Sequence, residues 1–264
     1  MNDITMAEDN LFVASITRDL GTRFVGQKVI YFPSLTSTME VARKEAQKGA
    51  PEGTVIIADK QTAGKGRIGR AWLTPKGNIA FSIILHPSLT YLSSLIMLAS
   101  LAVVYSIERI AGLKAWVKWP NDILINGRKA CGILIESDVH PNSVNYAIIG
   151  IGINVNLRLA DFPWLESTAT SLSDELGREV QCFSLIRRVL VEVENLYLDL
   201  LAGKPLYQEW RDNLITLGKQ VRVKTAEIVY EGVAESVARD GSLLLRGRDG
   251  NLIEILAGDV TLRD

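Results

Sequence analysis

Lys118-Trp119-Pro120-Asn121-Asp122-Ile123-Leu124-Ile125-Asn126-Gly127-Arg128-Lys129-Ala130-Cys131-Gly132 is the stretch on which a reading of the fold turns. Pro120 fixes the turn and restricts Trp119, so Asn121 and Asp122 start a strand in a defined orientation. Asn126-Gly127 is the dipeptide of a tight hairpin, which returns the chain through Lys129 as a second strand. That hairpin sets Lys118, Asp122 and Lys129 close together. Taken alone, the cluster is explained about as well by a structural Lys-Asp pair beside an ordinary turn.

The flanking segments alternate between strand and helix periods. Ala115 to Lys118 and Asp122 to Ile125 read as short strands, preceded by a strand at Ile79 to Leu85 and a helix at Leu89 to Ala111. Cys131 to Ser137 and Tyr146 to Asn154 read as further strands. Closer to the N-terminus come a strand at Val29 to Phe32, a helix from Met39 to Lys48 behind Ser37 or Thr38, and a strand at Thr54 to Asp59. Leu11, Phe12, Ile16 and Leu20 have near-helical spacing, with Gly21 as a stop. Such an order predicts an α+β fold, a mixed sheet with helices. Beyond Asp161 the pattern turns helical. A short turn covers Ser173 to Leu176, and Leu185, Val189, Val193, Leu196 and Leu200 line a long helix stopped by Gly203, Lys204 and Pro205. A third helix carries Leu206, Trp210 and Leu214 before Gly218. Period-two pairs follow, Val221 and Val223, Val229 and Val233, Leu243 and Leu245, Ile253 and Ile255, punctuated by Asp240-Gly241 and Asp249-Gly250. The expected division is a large domain over 1–217 and a small barrel-like β module over 218–264.

Composition excludes several classes. In 264 residues, 47% are hydrophobic and 22% charged, ordinary globular usage that argues against disorder, collagen and coiled coil. Lysine plus arginine total 29 against 30 acidic residues, so a net charge of -1 offers no global field for nucleic acid or anionic lipid. Cys131 and Cys182 are too few for a disulfide framework, and no secretory apolar region follows Met1, which points to a reducing, cytoplasmic protein. Pro87 to Ile107 lacks charge and is long enough to span a bilayer. Its scattered Ser88, Thr90, Ser93, Ser94, Ser100 and Ser106, and the absence of flanking basic clusters, favour a buried helix and no membrane.

Three further segments carry chemistry. Gln61-Thr62-Ala63-Gly64-Lys65-Gly66-Arg67-Ile68-Gly69-Arg70-Ala71-Trp72 packs three glycines and three cations into seven residues. Glycines let backbone approach a ligand closely, and the cations supply charge-assisted donors, so an anion-binding loop is expected. A solvated basic turn is the bland reading. The spacing is that of neither a P-loop nor a dinucleotide fingerprint. Ile148-Ile149-Gly150-Ile151-Gly152-Ile153-Asn154-Val155-Asn156 is an apolar strand whose two glycines mark close approach of a ligand or neighbouring strand, with Asn154 a polar group at its end. Ser37-Thr38 could simply cap the following helix.

In this order and spacing, Ser37-Thr38, Gln61 to Trp72, Lys118 to Asp122, Gly127 to Gly132 and Gly150 to Asn156 resemble the biotin protein ligases, also called biotin-[acetyl-CoA-carboxylase] ligases. The resemblance runs from about Val29 to the C-terminus. It implies a catalytic domain related to class II aminoacyl-tRNA synthetases and lipoate ligases, joined to an SH3-like C-terminal domain. It also implies a monofunctional member without the DNA-binding domain, and hence no DNA partner.

By the same resemblance, Ser37, Thr38 and Gln61 hold the biotin head group, with Met39 beside them. Gly64, Lys65, Gly66, Arg67 and Arg70 belong to a loop that orders over biotin and the adenylate, and Trp72 braces it. Lys129 is the catalytic lysine, assisted by Arg67, and Gly132 lets its strand lie against the biotin chain. Lys118, Asn121, Asp122 and Asn154 lie at the ATP phosphates, Asp122 with Mg2+. Lys65 stands where arginine is usual, keeping the charge without the planar fork, and Met39 where asparagine is common, removing a polar contact. The implied reaction uses ATP and Mg2+ to convert biotin to biotinyl-5′-AMP, then transfers biotin to a lysine of a biotin carboxyl carrier domain. A homodimer is left open. Competing expectations are a non-catalytic vitamin binder, a repressor, and a lipoate or octanoate transferase.

Overall fold

A computed structural model describes residues 11–75 and 77–263. The larger sheet is built from β1 (Val29–Phe32), β2 (Val55–Ala58), β3 (Ile79–Leu85), β4 (Trp116–Lys118), β5 (Asp122–Ile125), β6 (Arg128–His140) and β7 (Ser143–Ile153). Its order is β1-β2-β3-β7-β6-β5-β4, with β1 and β2 parallel and the other pairs antiparallel. The parallel pair is joined by helix α1 (Thr38–Gln47), a βαβ unit at one edge of an otherwise antiparallel sheet.

Helices cover both faces, so the central strands are largely apolar over their buried stretches. All seven residues of β3 are buried. On one face, Ala147, Ile149, Ile151 and Ile153 of β7 join the main core beneath α3 (Leu95–Ala111), itself packed on α5 (Cys182–Leu201). On the other, α1 lays Met39, Ala42 and Ala46 against Ile56, Ile84 and Ile148. That second core is short. It stops where the alternation along β7 reaches Gly150 and Gly152, and there the site opens.

The α+β expectation holds, with four differences in detail. The helix expected over Leu89 to Ala111 is broken into α2 (Leu89–Leu92) and α3 at Ser93 and Ser94, residues that favour caps over helix interiors. Strands β6 and β7 run further than their apolar cores suggest, pairing as far as His140 with Ser143. The turn expected at Ser173 to Leu176 is a helix, α4 (Leu172–Leu176), capped by the Ser171 hydroxyl, which accepts from the Asp174 N–H at 3.1 Å. After α6 (Tyr207–Asp212), the C-terminal sheet has five strands, not four: β8 (Gln220–Lys224), β9 (Val229–Val237), β10 (Leu243–Gly247), β11 (Leu252–Ile255) and β12 (Asp259–Leu262), ordered β11-β10-β9-β8-β12. At the N-terminal side, helical residues 11–17 are held to α5 by the Arg187 guanidinium, which donates to the carbonyls of Ile16, Arg18 and Asp19 at 2.6–2.9 Å. Among the described residues no helix is long and apolar enough to cross a membrane.

The two sheets are fastened together beside the 118–132 hairpin. Trp119 is 1% exposed, its indole N–H donates to the Gly241 carbonyl at 2.8 Å, and its backbone N–H donates to the Thr216 hydroxyl at 2.9 Å. Gly241 holds a φ of +93°, which a side chain would strain. Trp119→Phe keeps most of the packing and orphans that carbonyl, so the urea midpoint should fall by an amount equivalent to about 1 kcal/mol. An unchanged midpoint would show that the indole bond does not fasten the module.

Candidate active site

Where β3, β7 and β6 lie side by side, register aligns small residues into a floor. Ala80 pairs Gly152 and Ser82 pairs Gly150 across β3 and β7, and Gly152 pairs Gly132 across β7 and β6. Two larger side chains descend onto it. A Cβ on Gly152 would stand 2.3 Å from the Trp72 indole, one on Gly132 3.0 Å from the same ring, and one on Gly150 2.5 Å from the Met39 sulfur. The rigid indole leaves no room for a side chain at Gly152, Gly132 is tight against the same ring, and at Gly150 the flexible Met39 would have to move.

A polar network fixes one wall. The Ser82 hydroxyl donates to the Thr38 hydroxyl at 2.8 Å, which donates to Gln61 Oε1 at 3.2 Å, and the Thr38 N–H reaches the same oxygen at 2.8 Å. Gln61 Nε2 donates onward to the Thr74 hydroxyl at 3.0 Å. Ser37 differs. It occupies the N-cap position of α1 in extended conformation, yet its side chain makes no capping bond, and its fully buried hydroxyl has no hydrogen-bond partner. The cap explanation for Ser37 is thereby removed. Trp72 Nε1 is a second buried donor without a partner. Buried polar groups are almost always paired, so two orphans facing one cavity mark a place for a polar ligand.

Cations surround the opposite wall. Lys129 Nζ lies 2.6 Å from Asp122 Oδ1 and 5.4 Å from the centre of the Trp72 ring. Arg67 donates to Asn121 Oδ1 at 2.9 Å, while Asn121 Nδ2 donates to the Ile133 carbonyl at 2.8 Å. Burial pushes the Arg67 guanidinium below its ordinary range; Asp122 and Asp259 oppose that shift and Arg70 adds to it. Arg70 forks onto both carboxylate oxygens of Asp259, which raises its pKa. Lys65 pairs with Glu40 at 2.6 Å. The loop carrying these cations closes as a small hairpin, with Lys65 bridging Ala71 and the Gly66 N–H donating to the Arg70 carbonyl at 2.7 Å. Gly64 packs against the Trp72 carbonyl and does not line the cavity. Ile68, at the loop apex, adopts φ +54° and is 67% exposed.

Most of the expected site residues therefore meet in one cavity: Ser37, Thr38, Met39 and Gln61 on one side, Lys65, Gly66, Arg67, Arg70 and Trp72 in the loop, and Asn121, Asp122, Lys129 and Gly132 opposite. Lys118 and Asn154 line a second, adjoining cavity bounded by Leu165 to Ala169 and by β12, with Asp122 and Lys129 on the shared wall. Asn154 is engaged there, donating to the Thr170 carbonyl at 3.0 Å. The first cavity holds about 110 Å³ and the second about 660 Å³. Ligand pockets commonly run to several hundred Å³, so the closed loop and its indole already fill part of the first. Sequence reasoning missed Ser82, whose signal was a lone hydroxyl in an apolar strand, and Glu40, Thr74 and Asp259, which had none.

Residues 31–154 match the Biotin/lipoate A/B protein ligase family, and residues 216–263 match the Biotin protein ligase C terminal domain. The chain is 39% identical to the bifunctional ligase/repressor BirA of Bacillus subtilis (strain 168) over 92% of its own length and 76% of the relative's. It is 32% identical to the biotin--[acetyl-CoA-carboxylase] ligase of Paracoccus denitrificans, over 79% of this chain and 92% of that one. The chain belongs to the biotin protein ligase family. Its fold superposes on the biotin protein ligase from Aquifex aeolicus in complex with biotin and ATP with a TM-score of 0.75, at 28% identity, covering 90% of this chain and 99% of that chain.

In this biotin protein ligase two carboxylates, Asp122 and Asp259, line both cavities, the first paired with Lys129 and the second with Arg70. No group of three or more metal-ligating side chains exists among the described residues. A single carboxylate fits Mg2+, which is commonly held by one or two protein oxygens and otherwise by substrate phosphates and water.

Strand propensity alone favours Gly152→Ala. The 2.3 Å approach of the Trp72 ring reverses that expectation. Denaturation should show a loss of about 1–3 kcal/mol, typical of overpacking, and a smaller loss in a Trp72→Ala background. Equal losses in the two backgrounds would mean that the glycine does not serve the indole.

Proposed function

We propose that the chain is an ATP-dependent biotin-[acetyl-CoA-carboxylase] ligase. It joins biotin to AMP with release of diphosphate, then transfers biotin to a lysine of a biotin carboxyl carrier domain. The observation that carries this reading is one cavity lined both by two orphaned buried donors, Ser37 Oγ and Trp72 Nε1, and by the cations Lys129 and Arg67. The neutral, polar ureido end of biotin suits the donors, and the negative tail and α-phosphate suit the cations. In the first step a biotin carboxylate oxygen attacks the α-phosphorus, the bond to the β-phosphate oxygen breaks, and diphosphate leaves. Two anions approach only if cations offset their repulsion and the developing charge, the role assigned to Lys129 and Arg67. In the second step the acceptor amine attacks the acyl carbon, AMP leaves, and an amide forms with loss of a proton. No covalent enzyme intermediate is needed. Burial pushes the Cys131 thiol far up, which disfavours a thiolate there.

Nucleotide is assigned to the larger cavity, against Lys118 and Asn154, with Asp122 holding Mg2+, which screens the phosphate charge when bound. Lys129 sits on the wall common to both cavities and would exchange its Asp122 contact for the reacting groups. The loop from Gly64 to Arg70 covers the mixed anhydride and excludes water until the acceptor arrives. We further assign catalysis to residues 1–217 and the SH3-like module to 218–264. The net charge of -1 favours a monofunctional ligase over a DNA-binding repressor.

Incubation with ATP, Mg2+, biotin and a biotin carboxyl carrier domain, followed by intact mass of the carrier, should show one added biotin at a single lysine. An unmodified carrier would refute the assignment. Lys129→Ala should fold as the parent does and slow diphosphate release by roughly 10²- to 10³-fold, the scale of one lost transition-state contact. Parent-like release from the folded variant would remove Lys129 from the chemistry.

A further inference from the structure

The first turn of α1 has two outlets. Ser37 and Thr38 face the cavity, whereas Glu40, two residues on, reaches across its rim to the glycine-rich loop and pairs with Lys65 at 2.6 Å. The carboxylate is aimed. Its second oxygen accepts a 2.9 Å hydrogen bond from the Thr36 hydroxyl, and its place in the first helical turn is favoured by the helix dipole. Lys65 lies at the stem of the loop hairpin, bridging Ala71, the residue before the Trp72 that roofs the small-residue floor. We propose that Glu40 is a positioning residue: by holding Lys65 it keeps the loop stem closed over the cavity and so slows escape of the activated intermediate. The inference rests on the reading of that cavity as the biotinyl-adenylate site.

Lys65 and Glu40 are partly exposed, with side-chain exposures of 43% and 31%, so the pair is weak compared with a buried contact. A weak tether suits a loop that must also open. The pair holds Glu40 below the usual carboxylate range, chiefly through the Lys65 contact and then through Thr36. A group with a depressed folded pKa contributes above its unfolded value and loses the contribution as pH falls through the folded one. At neutral pH Glu40 therefore carries its charge. Glu40 does not line the cavity, and its contact with Lys65 is its direct link to the glycine-rich loop.

The test is a double-mutant cycle on the full chain. Adenylate is formed from radiolabelled biotin and ATP, and its dissociation is followed by chase with unlabelled biotin in the parent, Glu40→Gln, Lys65→Gln and the double variant. Glu40→Gln should speed dissociation about two- to fivefold, the scale of a partly exposed ion pair, and should add nothing once Lys65 is glutamine. Raising the salt concentration should speed release by a larger factor in the parent than in Glu40→Gln, in which only the contacts to the ligand remain to be screened. Thr36→Val, which leaves both charges in place, should give a smaller effect in the same direction. Parent-like dissociation from Glu40→Gln, or an undiminished effect in the Lys65→Gln background, would overturn the proposal while leaving the ligase assignment intact. A parent that forms no adenylate would instead overturn the ligase assignment and the proposal with it.

Discussion

A sheet covered on both faces normally fills each face with side chains, and this one withholds them over a single patch. Ala80, Ser82, Gly132, Gly150 and Gly152 fall next to one another only because the registers of β3, β7 and β6 align. A shift of one residue in either pairing would send isoleucines onto the floor and glycines into the main core. The cavity, the seat of the Trp72 ring and the depth to which Met39 descends are consequences of that alignment. The strands are long and tightly paired for the same reason: the floor needs a frame that does not slip.

Above the floor, charge is arranged so that no cation is bare. Lys65 has Glu40, Arg67 has the Asn121 side-chain amide oxygen, Lys129 has Asp122, and Arg70 has Asp259. Four cations gathered without partners would repel one another and raise the cost of ordering a glycine-rich loop. An anionic ligand therefore meets a set of existing contacts and exchanges with some of them. Ser37 Oγ and Trp72 Nε1 differ from these cations in lining the same cavity without an internal partner to exchange.

The frame was largely legible in the sequence. The strands Val29–Phe32, Ile79–Leu85 and Asp122–Ile125 have the limits that their apolar runs and turn residues dictate, and Asn126-Gly127 makes its hairpin with both φ values positive. Site residues clustered in glycine-rich or proline-fixed segments stood out because such compositions are poor at packing and good at local geometry. Glu40 and Asp259 did not stand out. One looks like any acid in the first turn of a helix, the other like any acid on a surface strand, and their meaning comes from partners 25 and 189 residues away. The short strand β12 was hidden for a similar cause, having only Val260 and Leu262 to announce it.

The C-terminal module reaches the site at two separate places, through the Gly241 carbonyl behind Trp119 and through the Asp259 carboxylate on Arg70. These lie on different connections of the small sheet, one in the β9-β10 turn and the other at the start of β12. The module thus behaves as a two-pronged plug rather than as a bead on a string. A homologous module grafted in its place would have to reproduce both prongs and the spacing between them, and the connector itself is bonded to β4 through Asn213 and Ile215 and to β9 through Gly218, which makes the junction near residue 217 a poor point for free exchange of parts.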